Sequence, residues 1–365
     1  VSIYLQNNPD SHFFASKGLI LGGSHSPSPL NRNAHCGDLS AVLLQNLNPL
    51  VNLIRVPDKK IILMDEWESK IKAIVESTWK TDVNSLSGVP SWMLVLIKAV
   101  LQKTGSEYLT DVWPNMEVFF HGGISFEPYR DQYKALIPSD RMHYMETYNA
   151  SEGFFGLQDN PEEHSLLLMI DYSVFYEFIP INEVGEEHPT VLPLEAVEVG
   201  KNYAMVITTS GGLWRYQIGD TVRFTSLYPH KFVISGRTKN FINAFGEELM
   251  VDNADKAISR VCRQTGAKVK EYTAAPLFML DKAKGRHQWM IEFEKMPPSL
   301  DDFASLLDKT LQQLNSDYEA KRYKEISLQP LEIRVAREGT FYEWLRRKGK
   351  LGGQHKIPRL SNDRT

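Results

Sequence analysis

Cysteine is nearly missing from this chain of 365 residues: only Cys36 and Cys262 occur, far apart, with no CxxC pair or Cys/His cluster beside either. That argues against structural zinc and for a reducing compartment, with the cytoplasm as the default. Long apolar runs are missing too. The most apolar stretch, residues 92–101, is too short to span a bilayer and carries Lys98, and no basic segment followed by an apolar one opens the chain. Neither sign of charge dominates: the formal net charge is only −4, with Lys and Arg scattered rather than striped. Electrostatics therefore gives no case for nucleic acid as a partner. A G-x-S-x-G elbow is also absent. Adjacent Ser24 and His25 would point apart on extended backbone, so residues 22–27, Gly-Gly-Ser-His-Ser-Pro, read as a loop and not as a serine hydrolase site.

What is present is an ordinary globular composition, 42% hydrophobic and 24% charged. The length is too great for one core and predicts two domains, one of them large. Residues 18–21 read as a buried strand. Asp38 is placed to cap a helix over 39–47, Asp65 opens a second with Trp67, Ile71, Ile74 and Val75 on one face, and a third runs from Pro90 to about Gln102 before Gly105. A strand at 116–120, a loop His121-Gly122-Gly123, a helix around 128–136 and a strand at 141–147 make a βαβ unit, in which ligands gather at the carboxyl ends of the strands. Gly122 and Gly123 allow either a close approach of ligand to backbone or simply a steric turn. His121 reads as a packed or capping histidine, since no carboxylate partner stands near it in sequence.

Further along, β-type runs at 166–172 and 174–179 suggest antiparallel pairing, and 203–209 with 213–218 form a hairpin. Gly219-Asp220 then turns the chain into 221–225. A strand from Lys231 ends at Gly236-Arg237-Thr238-Lys239, a helix spans about 251–264, and a compact α+β pattern follows, with a helix capped by Ser299 and striped by Leu300, Phe303, Leu307, Leu311 and Leu314. The expected division is 1–237, a large mixed α/β domain with an additional β-rich part, and 238–365, a smaller mobile α+β domain. Residues 349–359 read as a Gly-rich mobile loop carrying Lys350 and Lys356.

Chemistry concentrates at His143-Tyr-Met-Glu-Thr-Tyr-Asn-Ala-Ser-Glu-Gly153. Tyr148 offers a flat face for a purine, Ser151 a donor for a phosphate oxygen and Glu152 a hard oxygen ligand for Mg²⁺, all on turning backbone. Asp220 at a sheet rim can accept both hydroxyls of a ribose, although an ordinary Gly-Asp turn has the same composition.

Tyr148-Asn-Ala-Ser-Glu152, Tyr216-Gln-Ile-Gly-Asp220 and Gly236-Arg-Thr-Lys239, in that order, resemble the motifs of the adenylate-forming superfamily that includes acyl-CoA synthetases, peptide-synthetase adenylation domains and luciferases. Within it, Trp214-Arg-Tyr-Gln-Ile-Gly-Asp220, Gln354-His-Lys-Ile-Pro-Arg359 and the Gly37-Asp-Leu-Ser40 region resemble the Gretchen Hagen family of auxin-responsive acyl acid amido synthetases, in a bacterial-type version. The resemblance covers essentially the whole chain and implies a ligase that makes an acyl adenylate from a small carboxylic acid and Mg-ATP, then transfers the acyl group to an amino acid or other amine. It implies adenine on Tyr148, a phosphate on Ser151, Mg²⁺ on Glu152, ribose on Asp220 and Arg237, and a hinge at Lys239. Lys356 would be the catalytic lysine, with Lys350 as its competitor.

The superfamily's Ser/Thr/Gly-rich phosphate loop ending in Lys has no counterpart here, and Ser210-Gly-Gly joins two strands rather than opening a helix. The sequence therefore reads as starting after that loop. Two rivals remain open, an acyl-CoA ligase with a thiol acceptor and a nucleotide-binding protein without catalysis.

Overall fold

The computed structural model describes all residues except 24, 28–34, 128, 239–240, 243–246, 279–284, 323–327, 349–355 and 362–365. The described residues of Val1–Met169 form one compact unit, and those of Ile170–Gly349 with Lys356–Thr365 a second.

The first unit contains α1 (Ser2–Asn7), β1 (Lys17–Ile20), a small ribbon of β2 (His25–Pro27) and β3 (His35–Gly37), then α2 (Leu39–Asn46), β4 (Arg55–Val56), α3 (Lys59–Ile62), α4 (Trp67–Thr78), β5 (Val83–Gly88), α5 (Pro90–Thr104), α6 (Leu109–Val112), β6 (Val118–Gly122), α7 (Arg130–Leu136), β7 (His143–Ala150), β8 (Gly153–Leu157) and β9 (Leu166–Leu168). Its main sheet runs β4-β1-β5-β6-β7-β8-β9. Pairing is parallel from β4 through β7 and antiparallel from β7 to β9. Parallel strands are covered on both faces, which is why β5 and β6 are buried along most of their length. On one face Tyr4 of α1 packs with Val118 and Met145. On the other, Phe119, Phe126, Tyr133 and Tyr144 form an aromatic cluster under α7.

Helix boundaries follow local chemistry. The cap of α4 is Glu66, not Asp65, because the Glu66 carboxylate accepts from the amides of both Glu68 and Ser69. Asp38 does occupy the position before α2, but its side chain makes no capping bond. Pro90 starts α5, and Gly105 ends it in the left-handed region at φ 71°.

The second unit contains β10 (Val174–Pro180), β11 (Leu192–Pro193), β12 (Asn202–Thr209), β13 (Tyr216–Leu227) and β14 (His230–Arg237), followed by α8 (Val251–Thr265), β15 (Lys268–Phe278), β16 (Gly285–Lys295), α9 (Leu300–Leu314), α10 (Ser316–Arg322), β17 (Glu332–Val335) and α11 (Thr340–Arg347). The antiparallel order is β11-β10-β12-β13-β14, and a smaller sheet runs β15-β16-β17. The stripe on α9 is core, as expected: Phe303, Leu307 and Leu311 are fully buried against Trp289, Ile291 and the apolar face of α8. Ser299 caps α9 by accepting from the Asp302 amide at 3.2 Å.

One expected turn is a strand. Gly219-Asp220 does not reverse the chain but lies inside the continuous β13, with Gly219 at φ 85° and register shifts on both sides. A positive-φ glycine and bulges let one strand twist without breaking. Among the described residues no helix is long and apolar enough to cross a membrane.

Candidate functional site

In the first unit the candidate residues sit where β6 and β7 leave the parallel sheet. Gly122 lies opposite Thr147 in register, and a Cβ on Gly122 would stand 2.4 Å from the Thr147 carbonyl oxygen. Gly123 follows at φ 84°. Both glycines thus have a steric reason, and both leave bare backbone at the carboxyl edge of the sheet. Tyr148 stands at a bulge between Tyr148 and Asn149, its ring 5.1 Å from that of Phe155 and the residue only 6% exposed. Ser151 and Glu152 form the turn that joins β7 to β8, the serine exposed and the glutamate half-buried. Hydroxyl and carboxylate therefore share a hairpin tip, while the tyrosine is set back into the sheet.

His121 is a packed histidine. It stacks on Phe126 at 4.3 Å, and burial, aided by the nearby Arg130 guanidinium, pushes it down to about 3. Its Nδ1 has no hydrogen-bond partner among the described residues. A group held neutral in this way is a poor general base at neutral pH.

In the second unit three separated stretches meet. The twist of β13 places Asp220 directly across from Arg237 of β14, and Arg237 Nε donates to Asp220 Oδ1 at 2.8 Å. The Asp220 side chain is 14% exposed and that of Arg237 59%. Lys356 joins them. Its ammonium is pushed down to about 8, first by desolvation and then by Arg237, with Asp220 pulling the other way. Lys356 is exposed as a whole residue, yet its surroundings are crowded enough to desolvate the ammonium.

The residues after Lys356 are not loose, contrary to the reading of 349–359 as one mobile loop. Leu360 bridges to Ala274 of β15, the Ala274 amide donates to the Arg359 carbonyl at 2.9 Å, and the Ser361 amide donates back to the Ala274 carbonyl at 3.0 Å. Arg359 pairs with Glu271 and lies 4.5 Å over the Tyr272 ring. Lys356 is therefore delivered from a pinned segment. Lys239 and Lys350 lie outside the described residues.

Several organising residues gave no sequence signal. Lys70 of α4 is buried and donates to the Gly22 and Gly23 carbonyls at 2.7 and 3.1 Å, which ties α4 to the carboxyl end of β1. Burial lowers it to about 8, against the pull of Asp38. Glu247 and His287 form a fully buried pair at 2.7 Å. Thr147 stood inside the conspicuous motif, but only the β6/β7 register reveals its place. Among the described residues no group of three or more His, Cys, Asp or Glu could hold a metal. A lone carboxylate such as Glu152 fits Mg²⁺ that is bound largely through substrate phosphates.

This mixed α/β architecture is shared with solved ligases. A GH3.15 acyl acid amido synthetase superposes with a TM-score of 0.76 at 17% identity, over 99% of this chain and 73% of that one. A 2-hydroxyisobutyryl-CoA ligase in its postadenylation state gives 0.59 at 13% identity, over 96% of this chain and 66% of that one. The fold is that of the adenylate-forming ligases. The chain belongs to the GH3 family, whose N-terminal domain profile matches residues 3–142, its central domain 167–237 and its C-terminal domain 252–365. Indole-3-acetic acid-amido synthetase GH3.4 of Arabidopsis thaliana is 30% identical over 78% of this chain, which spans 51% of that protein's length.

Proposed function

We propose that the protein is an ATP- and Mg²⁺-dependent acyl acid amido synthetase of the cytoplasm, joining a small carboxylic acid to an amino acid or other amine. The observation that carries this reading is the convergence of three separate motifs on one cluster, Asp220, Arg237 and Lys356. In this reading the Asp220 carboxylate accepts the ribose hydroxyls with Arg237 beside it. Tyr148 with Gly122 and Gly123 holds the base, and Ser151 donates to a phosphate oxygen. Mg²⁺, when bound at Glu152, would neutralise charge on the phosphates. The acid's carboxylate oxygen attacks the α-phosphorus, forming the acyl–phosphate bond as the bond to pyrophosphate breaks. The amine nitrogen then attacks the acyl carbon, AMP leaves and the amine gives up a proton. Lys356 and Arg237 stabilise the charge that develops on the transferring groups.

The two half-reactions need different walls around one nucleotide, so we place a hinge at Lys239, between 1–237 and 238–365. The test is product analysis with ATP, Mg²⁺, a panel of carboxylic acids, and amino acids or CoA as acceptors. The expected products are an amide, AMP and pyrophosphate. A CoA thioester in place of the amide would make the protein an acyl-CoA ligase, and nucleotide binding without any product, both in this chain and in a version extended upstream to carry a phosphate loop, would overturn the enzyme reading.

A further inference from the structure

We propose that Thr147 is a positioning residue for the nucleotide, acting through Gly122, Gly123 and Tyr148 rather than on substrate; this rests on the nucleotide reading above. Thr147 stands where the two base-holding elements meet. On one side it faces Gly122 across the β6/β7 ladder, so closely that no side chain fits on Gly122. On the other it pairs with Leu157 of β8 and directly precedes the bulge that sets Tyr148 against Phe155. Its Oγ1 donates to the His121 carbonyl at 3.2 Å.

The residue before the two glycines is thus held at both ends, its ring by Phe126 and its carbonyl by Thr147. Gly122 and Gly123 have no side chains of their own with which to hold position. A glycine pair fixes a ligand only if its flanks are fixed, because its backbone samples more conformations than any other. Packing alone would be served as well by valine, which has the same shape and a stronger preference for strands. The hydroxyl is what valine lacks. It ties the end of β6 to the start of the bulge, and small displacements of such elements weaken a positioned ligand steeply.

The test compares AMP affinity, by calorimetry, in the parent chain, Thr147→Val, Thr147→Ser and Asp220→Ala, with thermal unfolding measured on each. Thr147→Val should bind AMP about fivefold more weakly, because the glycine pair loses a fixed flank, while melting within a few degrees of the parent. Thr147→Ser, which restores the hydroxyl without the methyl, should return to within about twofold. Parent-like affinity in Thr147→Val beside a loss in Asp220→Ala overturns the role of Thr147. So does a Thr147→Ser variant that binds no better than Thr147→Val. Parent-like affinity in both Thr147→Val and Asp220→Ala overturns the nucleotide reading itself.

Discussion

The two units present different chemistry on similar backbone devices. In the first, Gly122, Gly123 and Tyr148 are placed by backbone: a register, a missing Cβ, a positive φ and a bulge. In the second, register and a positive-φ glycine likewise set Asp220 across from Arg237, but what the placement assembles is charge: an ion pair across two strands, with the ammonium of Lys356 brought beside it on a pinned segment. A site of bare backbone resists pH and salt but tolerates no added atom. A charge cluster accepts substitution of shape but depends on each partner. The contrast extends into the cores, where the first unit buries the neutral His121 in an aromatic stack and the second buries a carboxylate–imidazole pair.

The buried pair should give the largest response. Glu247 and His287 have no exposure, and His287 Nδ1 already has no partner among the described residues. Glu247→Ala would orphan Nε2 as well, and such truncations cost about 3–5 kcal/mol. Denaturant unfolding of the variant should show a loss of that size. Replacing both residues together by Leu and Phe should recover part of it, because then neither the imidazole nor the carboxylate is left without the other. A loss below about 1 kcal/mol in Glu247→Ala would mean that this buried pair does not hold the second unit together.

His121 tests the other side. Its folded value of about 3 lies below the ordinary 6.5, so protons bind the unfolded chain more readily than the folded one. Its contribution to stability is therefore fully present above about pH 6.5 and is lost as pH falls towards 3, with a slope of roughly 1.4 kcal/mol per pH unit. Between pH 6.5 and 4.5 that amounts to about 2–3 kcal/mol. Carboxylates titrate in the same range, so the informative quantity is the difference between the parent and His121→Gln. That difference should shrink as the solution is acidified. Parallel curves would show that His121 is solvated or paired, and that the first unit is not organised as described.

Much of this was legible in sequence, and the failures share a cause. The α9 stripe and its Ser299 cap, the β6-α7-β7 unit and the β12/β13 hairpin rest on local periodicity and turn chemistry, which survive in the fold. Gly219-Asp220 was misread because the same dipeptide serves a turn or a bulged strand, and only pairing with β14 decides between them. Lys70, Glu247 and His287 gave no signal, since nothing local announces a partner some forty positions away. The segment after Lys356 looked loose because its hydrogen bonds go to β15, about eighty residues earlier. In the candidate site the residue types were legible. Their support was not.

Asp220 gives the last and smallest prediction, and it bears on whether charge placement in the second unit is functional or only structural. Its carboxylate accepts from Arg237 Nε through Oδ1 at 2.8 Å, and its side chain is 14% exposed. Hydrogen bonds to a charged acceptor contribute about 1.5–3 kcal/mol each. Asp220→Ala should therefore weaken AMP binding by roughly 2 kcal/mol, about thirtyfold. Stability should change far less, because the Arg237 left behind is 59% exposed and water replaces its partner. Calorimetric titration with AMP alongside denaturant unfolding separates the two effects. A variant that loses stability but keeps its AMP affinity would make Asp220–Arg237 a structural pair and leave the three-motif cluster without a ligand.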